Sequence, residues 1–592
     1  MENLKEELEQ LQESSVDIDR RYNRISFARL GVFLVALGGV VLLILRFWWA
    51  AVMVAGASFV FVRLVILHSR LENEQNMINN RIHVLKQWIA KKNLDWKVME
   101  ESGAEYLKED DYIAKDLDLL GTHSLYQMIC VAHTLAGKNR LAETLILAER
   151  GSVAEPVITE RQQAIRELTD HREFRLKYET LAIDQAADRT AAPSADPIAD
   201  HSEEESTDPI SPAITVLAFL IPCLLLAGIV GTVLGLLSPV WILVVYFAGL
   251  FLSFILAGYC GHFLEPVFGK QQLLRSNLEL METVAEETFR SELLVQLQSE
   301  IKNDTEQNAM KGMKRLERLL SIYHLRHNPI VHFILSGISL YDVHLARAAV
   351  KWNREYHDQI DRVMGILAEL EMLNSYAFFA DSQACSYPVI DHGSRVPFIR
   401  IHKGYHPFLA KEQAVRNSIE LDARPRVITG SNMSGKTTFL RMIGINVILA
   451  YAGAPVCAEH MDLAVMRPYT SMRVTDDVNH GISTFYAEIL RIKEMVEYGS
   501  SQQPMLCLID EIFKGTNSAD RIVGAEAVIR RLTGSLIIPI ISTHDFELCD
   551  LAENYHFEEY YDEEGIHFDY QLKSGRCQTT NALYLLKMAG LN

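Results

Sequence analysis

Residues 430–437 read Gly-Ser-Asn-Met-Ser-Gly-Lys-Thr, the spacing G-x-x-x-x-G-K-[ST]. Glycine is needed where a backbone must turn its N–H groups onto phosphate oxygens. In such a loop Lys436 reaches the β- and γ-phosphates of a nucleotide, and the Thr437 hydroxyl is placed to ligate Mg2+. An apolar run, 426–429, leads into the loop and a helix-like stretch, 438–450, follows it. The N-terminus of that helix adds a positive dipole end to the anion site. Gly430, Ser431, Asn432, Met433, Ser434, Gly435, Lys436, Thr437 and Thr438 are therefore the expected nucleotide-binding residues.

Two further apolar runs end in groups that would complete the site. Residues 505–511, MLCLIDE, read as a buried strand ending in two carboxylates. Asp510 would hold Mg2+ through water, and Glu511 would serve as general base toward an attacking water. Residues 536–544, LIIPIISTH, end in Ser542, Thr543 and His544. A histidine at the carboxyl end of a strand beside a phosphate loop is placed to contact the γ-phosphate and position water. Either run alone is more often structural. Together with the loop they give an expected catalytic set of Lys436, Glu511 and His544, metal ligation by Thr437 and Asp510, and ATP with Mg2+ as cofactors.

These residues need a rigid frame. After about residue 385, short β-rich runs (396–401, 426–429, 505–510, 536–541) alternate with helices. That alternation predicts an α/β P-loop domain over 391–592 with a largely parallel sheet. Segments 71–182 and 264–390 are mostly helical by pattern, with apolar residues three and four apart and few Gly or Pro. They predict an all-α unit. Residues 183–212 are rich in Ala, Pro, Ser and acid and read as a disordered linker.

The all-α part is interrupted by segments suited to lipid. From 213 to 261 there is no charged residue, and Ser238–Pro239 divides the run into two stretches each able to span. Residues 26–67 form a second candidate hairpin if Arg29 and Arg63 snorkel, with Trp48 and Trp49 at an interface. Residues 1–25, with Leu4, Leu8, Leu11 and Ile18 at helical spacing, read as a helical arm rather than a cleavable signal peptide. Two hairpins leave the arm, the helical segments and the α/β domain on one side. Arg20, Arg21, Arg24, Arg63 and Arg70 flank the first hairpin on that side, in keeping with the positive-inside rule. The expectation is an integral protein of the inner, cytoplasmic membrane with its ATP site in the cytoplasm.

The net charge of −19 argues against a surface that coats nucleic acid. Local clusters remain: Lys311, Lys314, Arg315, Arg318, Arg326 and His327, then Arg347, Lys351 and Arg354. Such clusters bind phosphates, face acidic headgroups, or are simply solvated. The 8 cysteines are scattered without a C-x-x-C pair and read as reduced packing thiols.

The runs TGSNMSGKTTFLR, DDVNHGISTFYAEI (476–489), LCLIDEIFKGTNS (506–518), ISTHDFEL (541–548) and TTNALYLLKMAGLN (579–592) resemble the ATPase domain of the MutS family, in that family's order and spacing. Residues 116–145 and 158–178 resemble the start of its core and lever, and 369–390 with GYHPFL (404–409) the segment joining lever to ATPase. The resemblance implies a homodimer with composite ATP sites. In it Asn432 senses the γ-phosphate, Ser483 reaches the partner's nucleotide, and Thr516 and Ser518 lie where the chain crosses the dimer interface. This sequence also departs from the family. The residues before 115 read as an arm and a membrane hairpin where a mismatch-reading domain would stand. The second hairpin takes the place of a DNA-gripping clamp, and Phe513–Lys514 replaces Gly-Arg. The expected function is a membrane-anchored ATPase that moves helical levers against the bilayer or a membrane partner, and is not itself a mismatch reader. A DNA-binding membrane tether or an ATP-regulated repair factor is the alternative. An ABC-type transporter is disfavoured, because no LSGGQ-like signature is present.

Overall fold

The computed structural model describes residues 2–577 apart from 46, 152, 188–209, 269–270, 303–308, 327–328, 432, 474–483, 502, 515–516, 535 and 563–564. The chain opens with two 43-residue helices, α1 (Glu2–Ile44) and α2 (Ala50–Lys92). Their pairing is antiparallel: Glu7 meets Arg81, Ser15 meets Asn79, and Ser26 meets His68. The expected arm and hairpin are thus one continuous helical pair, without a break near 25 or 67. No helix breaker stands at either boundary, so the helix runs from an apolar half into an amphipathic one. The far end docks on the core, where Leu4 joins Val84, Leu85, Trp88, Leu176 and Phe378.

Short helices α3 (Tyr112–Asp116) and α4 (Leu125–Ile129) lead to α5 (Leu135–Glu149), α6 (Glu155–Asp170) and α7 (Arg172–Ala187). Next come α8 (Pro212–Val233) and α9 (Val240–Phe268), then α10 (Gln271–Glu286), α11 (Glu292–Lys302), α12 (Ala309–Leu325) and α13 (Pro329–Ser339). The 42-residue α14 (Tyr341–Ser382) closes the helical part. Among the described residues five helices are long and apolar enough to cross a membrane by length and composition: α1, α2, α8, α9 and α14. Burial separates them. The apolar window of α14 is 78% buried inside the protein, against 22% or less in the other four. α14 is a core helix, while the other four expose their apolar windows.

A mixed sheet follows, built from β1 (Val389–Asp391), β2 (Ile399–Gly404), β3 (Asn417–Leu421) and, later in the chain, β5 (His460–Ala464), in the order β1-β5-β2-β3. The second sheet contains β4 (Arg426–Thr429), β6 (Arg467–Ser471), β7 (Met505–Asp510), β8 (Ile537–Ser542), β9 (Glu553–His556) and β12 (Lys573–Ser574). Its order is β12-β9-β4-β8-β7-β6, parallel throughout except at the β12 edge. β4, β7 and β8 are buried along their whole length, which is why β7 and β8 read as apolar runs up to their polar ends, while β4 buries Arg426 and Thr429 around Val427 and Ile428. Helices α15 (Lys436–Ala452), α16 (Thr484–Gly499) and α17 (Ser518–Leu532) are the α-layer, and a hairpin of β10 (Glu559–Asp562) and β11 (Gly565–Phe568) projects beyond it. The domain is α/β, behind an α-rich N-terminal part, as expected. The four-stranded sheet was not.

The two parts are joined by buried polar contacts. Arg441 on α15 bonds Asp118 at 2.9 Å, and Asp116 accepts from Thr470, Met472 and Arg473 at the end of β6. On α14, Glu371 accepts from the backbone N–H of His133 at 3.1 Å, from that of Thr134 at 3.2 Å, and from the Thr134 hydroxyl. Thr134 is the N-cap of α5, its oxygen accepting from Gly137 N at 3.0 Å. One buried carboxylate therefore holds the helix start that packs against α15. Glu371→Ala strands those donors and is expected to cost roughly 1–3 kcal/mol for each one left unsatisfied. Thermal unfolding of the detergent-solubilised chain measures this, and an unchanged midpoint would remove Glu371 from that role.

Candidate functional site

The loop between β4 and α15 is shaped by glycine at two points. Gly430 has φ +145, and a Cβ there would lie 2.6 Å from the Phe557 carbonyl oxygen; Gly435 has φ +104. Side chains are excluded from both, by contact or by conformation. Met433 also adopts a left-handed φ of +72, and its side chain points to solvent. Lys436 and Ser434 are buried beneath the loop. The Lys436 ammonium donates to the carbonyls of Gly430 and Ser431, both at 2.9 Å, and burial lowers its pKa. Ser434 Oγ is buried without a partner among the described residues. Ser431 donates to Glu559 at 2.8 Å.

The three strand ends meet beside this loop. Thr437 Oγ1 donates to Asp510 Oδ2 at 2.6 Å, and Ser542 Oγ donates to the other oxygen of Asp510. Glu511 N reaches Ser542 O at 3.1 Å. Glu511 itself has φ +53 and Phe513 has φ +60, a turn that costs roughly 1–3 kcal/mol per residue and has to be held. The hold comes from Glu488 on α16, whose carboxylate accepts from Phe513 N at 2.5 Å. His544 Nε2 lies 3.1 Å from Glu511 Oε1, and the Lys514 ammonium lies 2.8 Å from Oε2. The His544 hydrogen bond first, and Lys514 second, hold the Glu511 carboxyl down at about 2. His544 is steadied from behind, where Asp545 forms a two-pronged pair with Arg521 at 2.7 Å.

A 510 Å3 cavity opens over the loop. Met433, Gly435, Lys436, Thr437, Thr438 and Glu511 line one side. Much of the rest is aromatic or apolar, with Tyr405, His406 and Leu409 from the segment after β2 and Phe439, Phe557 and Tyr570, while Gln413 and Asn417 add polar groups. A polar floor with aromatic walls suits a phosphorylated ligand bearing a flat ring. The hydroxyl of Thr437 beside the Asp510 carboxylate is a set of hard oxygen donors that fits Mg2+.

The structure places Gly430, Ser431, Ser434, Gly435, Lys436, Thr437, Asp510, Glu511 and His544 near one another, with Met433 and Thr438 among the residues lining the cavity. Asn432, Ser483 and Thr516 lie outside the described residues, so their expected roles have no geometry here. Sequence reasoning missed Ser542 as the second donor to Asp510, and missed the wall of Tyr405, His406, Phe557 and Tyr570. Only GYHPFL was singled out there, as a joining segment. Of the basic clusters, Lys314 pairs with Glu282 and Arg315 with Glu355, while Arg326 pairs with Asp342. Much of that charge is neutralised by neighbouring helices.

Residues 426–592 match the family model described as MutS domain V. The chain is also similar to proteins named DNA mismatch repair protein MutS from Streptococcus pyogenes serotype M5 (strain Manfredo) and serotype M3 (strain SSI-1). Each is 29% identical over 266 residues, which is 42% of this chain and 30% of the relative. The chain therefore spans about a third of the length of the curated relatives it matches.

His406 gives the site a pH signature. Its Nδ1 accepts from Phe408 N at 3.2 Å, and burial, with Arg441 nearby, pushes its pKa down to about 3. The ordinary value near 6.5 applies once the chain unfolds, so the neutral ring stabilises the fold above about pH 6.5. That contribution is lost as the pH falls toward the folded value, by at most ~1.4 kcal/mol per pH unit. His406→Asn keeps an acceptor and removes the titration. Unfolding midpoints measured between pH 7 and pH 5 should fall more steeply for the wild type than for the variant, and parallel curves would contradict this.

Proposed function

We propose that this chain, which belongs to the MutS family, is a membrane-anchored P-loop ATPase that works as a homodimer. The observation that carries the reading is the convergence of Lys436, Thr437, Asp510, Glu511 and His544 at one end of the parallel sheet, under a cavity of nucleotide size. ATP lies with its phosphates on the 430–437 loop and its base against the wall of Tyr405, His406 and Phe439. Thr437 and Asp510 would hold Mg2+, which would supply positive charge to neutralise the phosphates. Lys436 exchanges its loop carbonyls for phosphate oxygens. Glu511, fully ionised because its carboxyl sits at about 2, orients the attacking water by accepting its hydrogen bond and is a weak proton store. His544 and Lys514 each engage one Glu511 oxygen, and each oxygen keeps a further lone pair that can accept from the water.

The work of the site is delivered to the bilayer. α8–α9 and the apolar halves of α1–α2 form two transmembrane hairpins, and the helical and α/β parts lie in the cytoplasm. Support comes from the low burial of those four apolar windows and from the reach of α14. One end of α14 holds Arg140 and Arg161 through Glu369, and Arg161 abuts Gly453 at the end of α15. At its other end His344 meets the Ala218 carbonyl of α8 at 3.3 Å. A continuous helix thus links the surroundings of Gly453, at the far end of the helix that follows the nucleotide loop, to the second hairpin.

Glu511→Gln should retain ATP binding and reduce hydrolysis by a factor on the order of 10²–10⁴, the usual worth of a positioned acid–base group. Single-turnover hydrolysis in lipid measures it, and unchanged turnover would take Glu511 out of the mechanism. Alkaline carbonate should leave the chain in the membrane pellet, whereas release into the supernatant would refute the anchor.

A further inference from the structure

Helix α13 reads PIVHFILSGIS and carries no Asp, Glu, Lys or Arg. At 1.5 Å per residue its 11 residues run ~16 Å, about half a ~30 Å hydrocarbon layer. It is too short to register as a span, and its position in the sequence assigns it to the cytoplasmic lever. Its packing points elsewhere.

α13 lies directly on α9. A Cβ at Gly249 would come within 2.6 Å of the Gly337 carbonyl oxygen, and a Cβ at Gly337 within 2.3 Å of the Tyr246 ring. Two glycines let the backbones approach as closely as packed helices in lipid do. Tyr246 donates to the Phe333 carbonyl at 3.0 Å. From α8, the Ile221 side chain would meet the same Gly249 Cβ at 3.2 Å. Gly249 and Ile221 stand near the middle of the two uncharged runs, 240–259 and 213–237. α13 is therefore seated at mid-depth of the hairpin, well away from the ends of its helices.

The other face of α13 is left partly uncovered by the described residues. Phe333, Ile334 and Ile338 are exposed, at 47%, 47% and 41%. They continue an apolar surface formed by the exposed Phe247, Phe251 and Phe254 of α9, and the two helices enclose a 670 Å3 crevice between them. The charge that flanks α13 is satisfied inside the protein: buried Asp342 takes His332 Nε2 at 3.2 Å and Arg326 at 3.3 Å. A left-handed Leu340, φ +46, then turns the chain into α14. An uncharged helix with an apolar outer face, joined to an exposed apolar hairpin, matches what hydrocarbon accepts, whereas a charge there would be strongly disfavoured.

We propose that α13 is a third membrane-embedded element, a half-length helix seated on the second hairpin and covered by the acyl chains of the bilayer that hairpin spans. The inference rests on the membrane reading of α8–α9. It places the first turn of α14 within the lipid-embedded part, so that α14 grips three embedded helices and not a loop at their rim.

Site-specific photocrosslinking in the full chain tests it. p-Benzoylphenylalanine replaces Ile334 or Ile338 on α13, Phe251 on α9, or the exposed Val295 on α11, one at a time, in vesicles of phosphatidylcholine and phosphatidylglycerol. All four positions are surface-exposed, and the two α13 positions back each other up if one variant folds poorly. The expected result is a mass increase of one phospholipid at 334, 338 and 251, and none at 295. Lipid adducts at 251 but not at 334 or 338, or a crosslink from α13 to a second copy of the chain, overturn the inference and leave the hairpin intact. No lipid adduct at 251 either removes the membrane reading, and this inference with it.

Discussion

The Asp510 carboxylate takes a hydrogen bond from Thr437 on one oxygen and from Ser542 on the other, and most of the site follows from that pair of contacts. A carboxylate that is 92% buried has to be satisfied on both oxygens, since leaving one bare costs several times what an exposed contact returns. Asp510 ends β7, Ser542 ends β8, and Thr437 opens α15. Satisfying one charge thereby fixes the tips of two strands against the first turn of the loop helix. Glu511 and His544 each come next or nearly next in the chain, so their 3.1 Å approach is inherited from this junction. The same junction supplies the oxygen donors that a divalent ion accompanying a nucleotide needs.

A second constraint is solvent. The protein's apolar residues are divided between a dense interior and surfaces that water would reject. α14 is nearly as long as the helices of the first pair, yet its apolar window is 78% buried, so length and composition do not separate a core rod from a helix with an exposed apolar face. What separates them is contact. α14 has neighbours along most of its length, from Ala218 of α8 to Thr134 before α5, and this turns it into the structural link between the helical hairpin and the α/β domain.

Two of the three strand tips were legible in the sequence to the residue. Runs 426–429 and 505–510 coincide with β4 and β7 because each is wholly buried and ends where its chemistry begins. The 536–541 run sits one residue off β8, because Ser542 is polar yet buried and belongs to the strand. The aromatic wall was not legible: Tyr405, Phe557 and Tyr570 come from segments far apart in the chain, and no periodicity announces that they will meet. The four-stranded sheet was hidden for the same reason, its β5 lying far downstream of β1 to β3. The boundary between arm and hairpin is a change of hydropathy along α1 and α2 that the helical hydrogen bonding does not share. α13 escaped notice because a rule based on spanning length cannot see half a span.

The central claim is that one magnesium–nucleotide pocket sits on a chain anchored in lipid. Equilibrium binding of Mg·ATP to the chain reconstituted in nanodiscs, compared with Lys436→Ala, tests it most directly. The account predicts saturable binding of one nucleotide per chain that the substitution abolishes. Binding that survives Lys436→Ala, or no binding by the intact reconstituted chain, would contradict it.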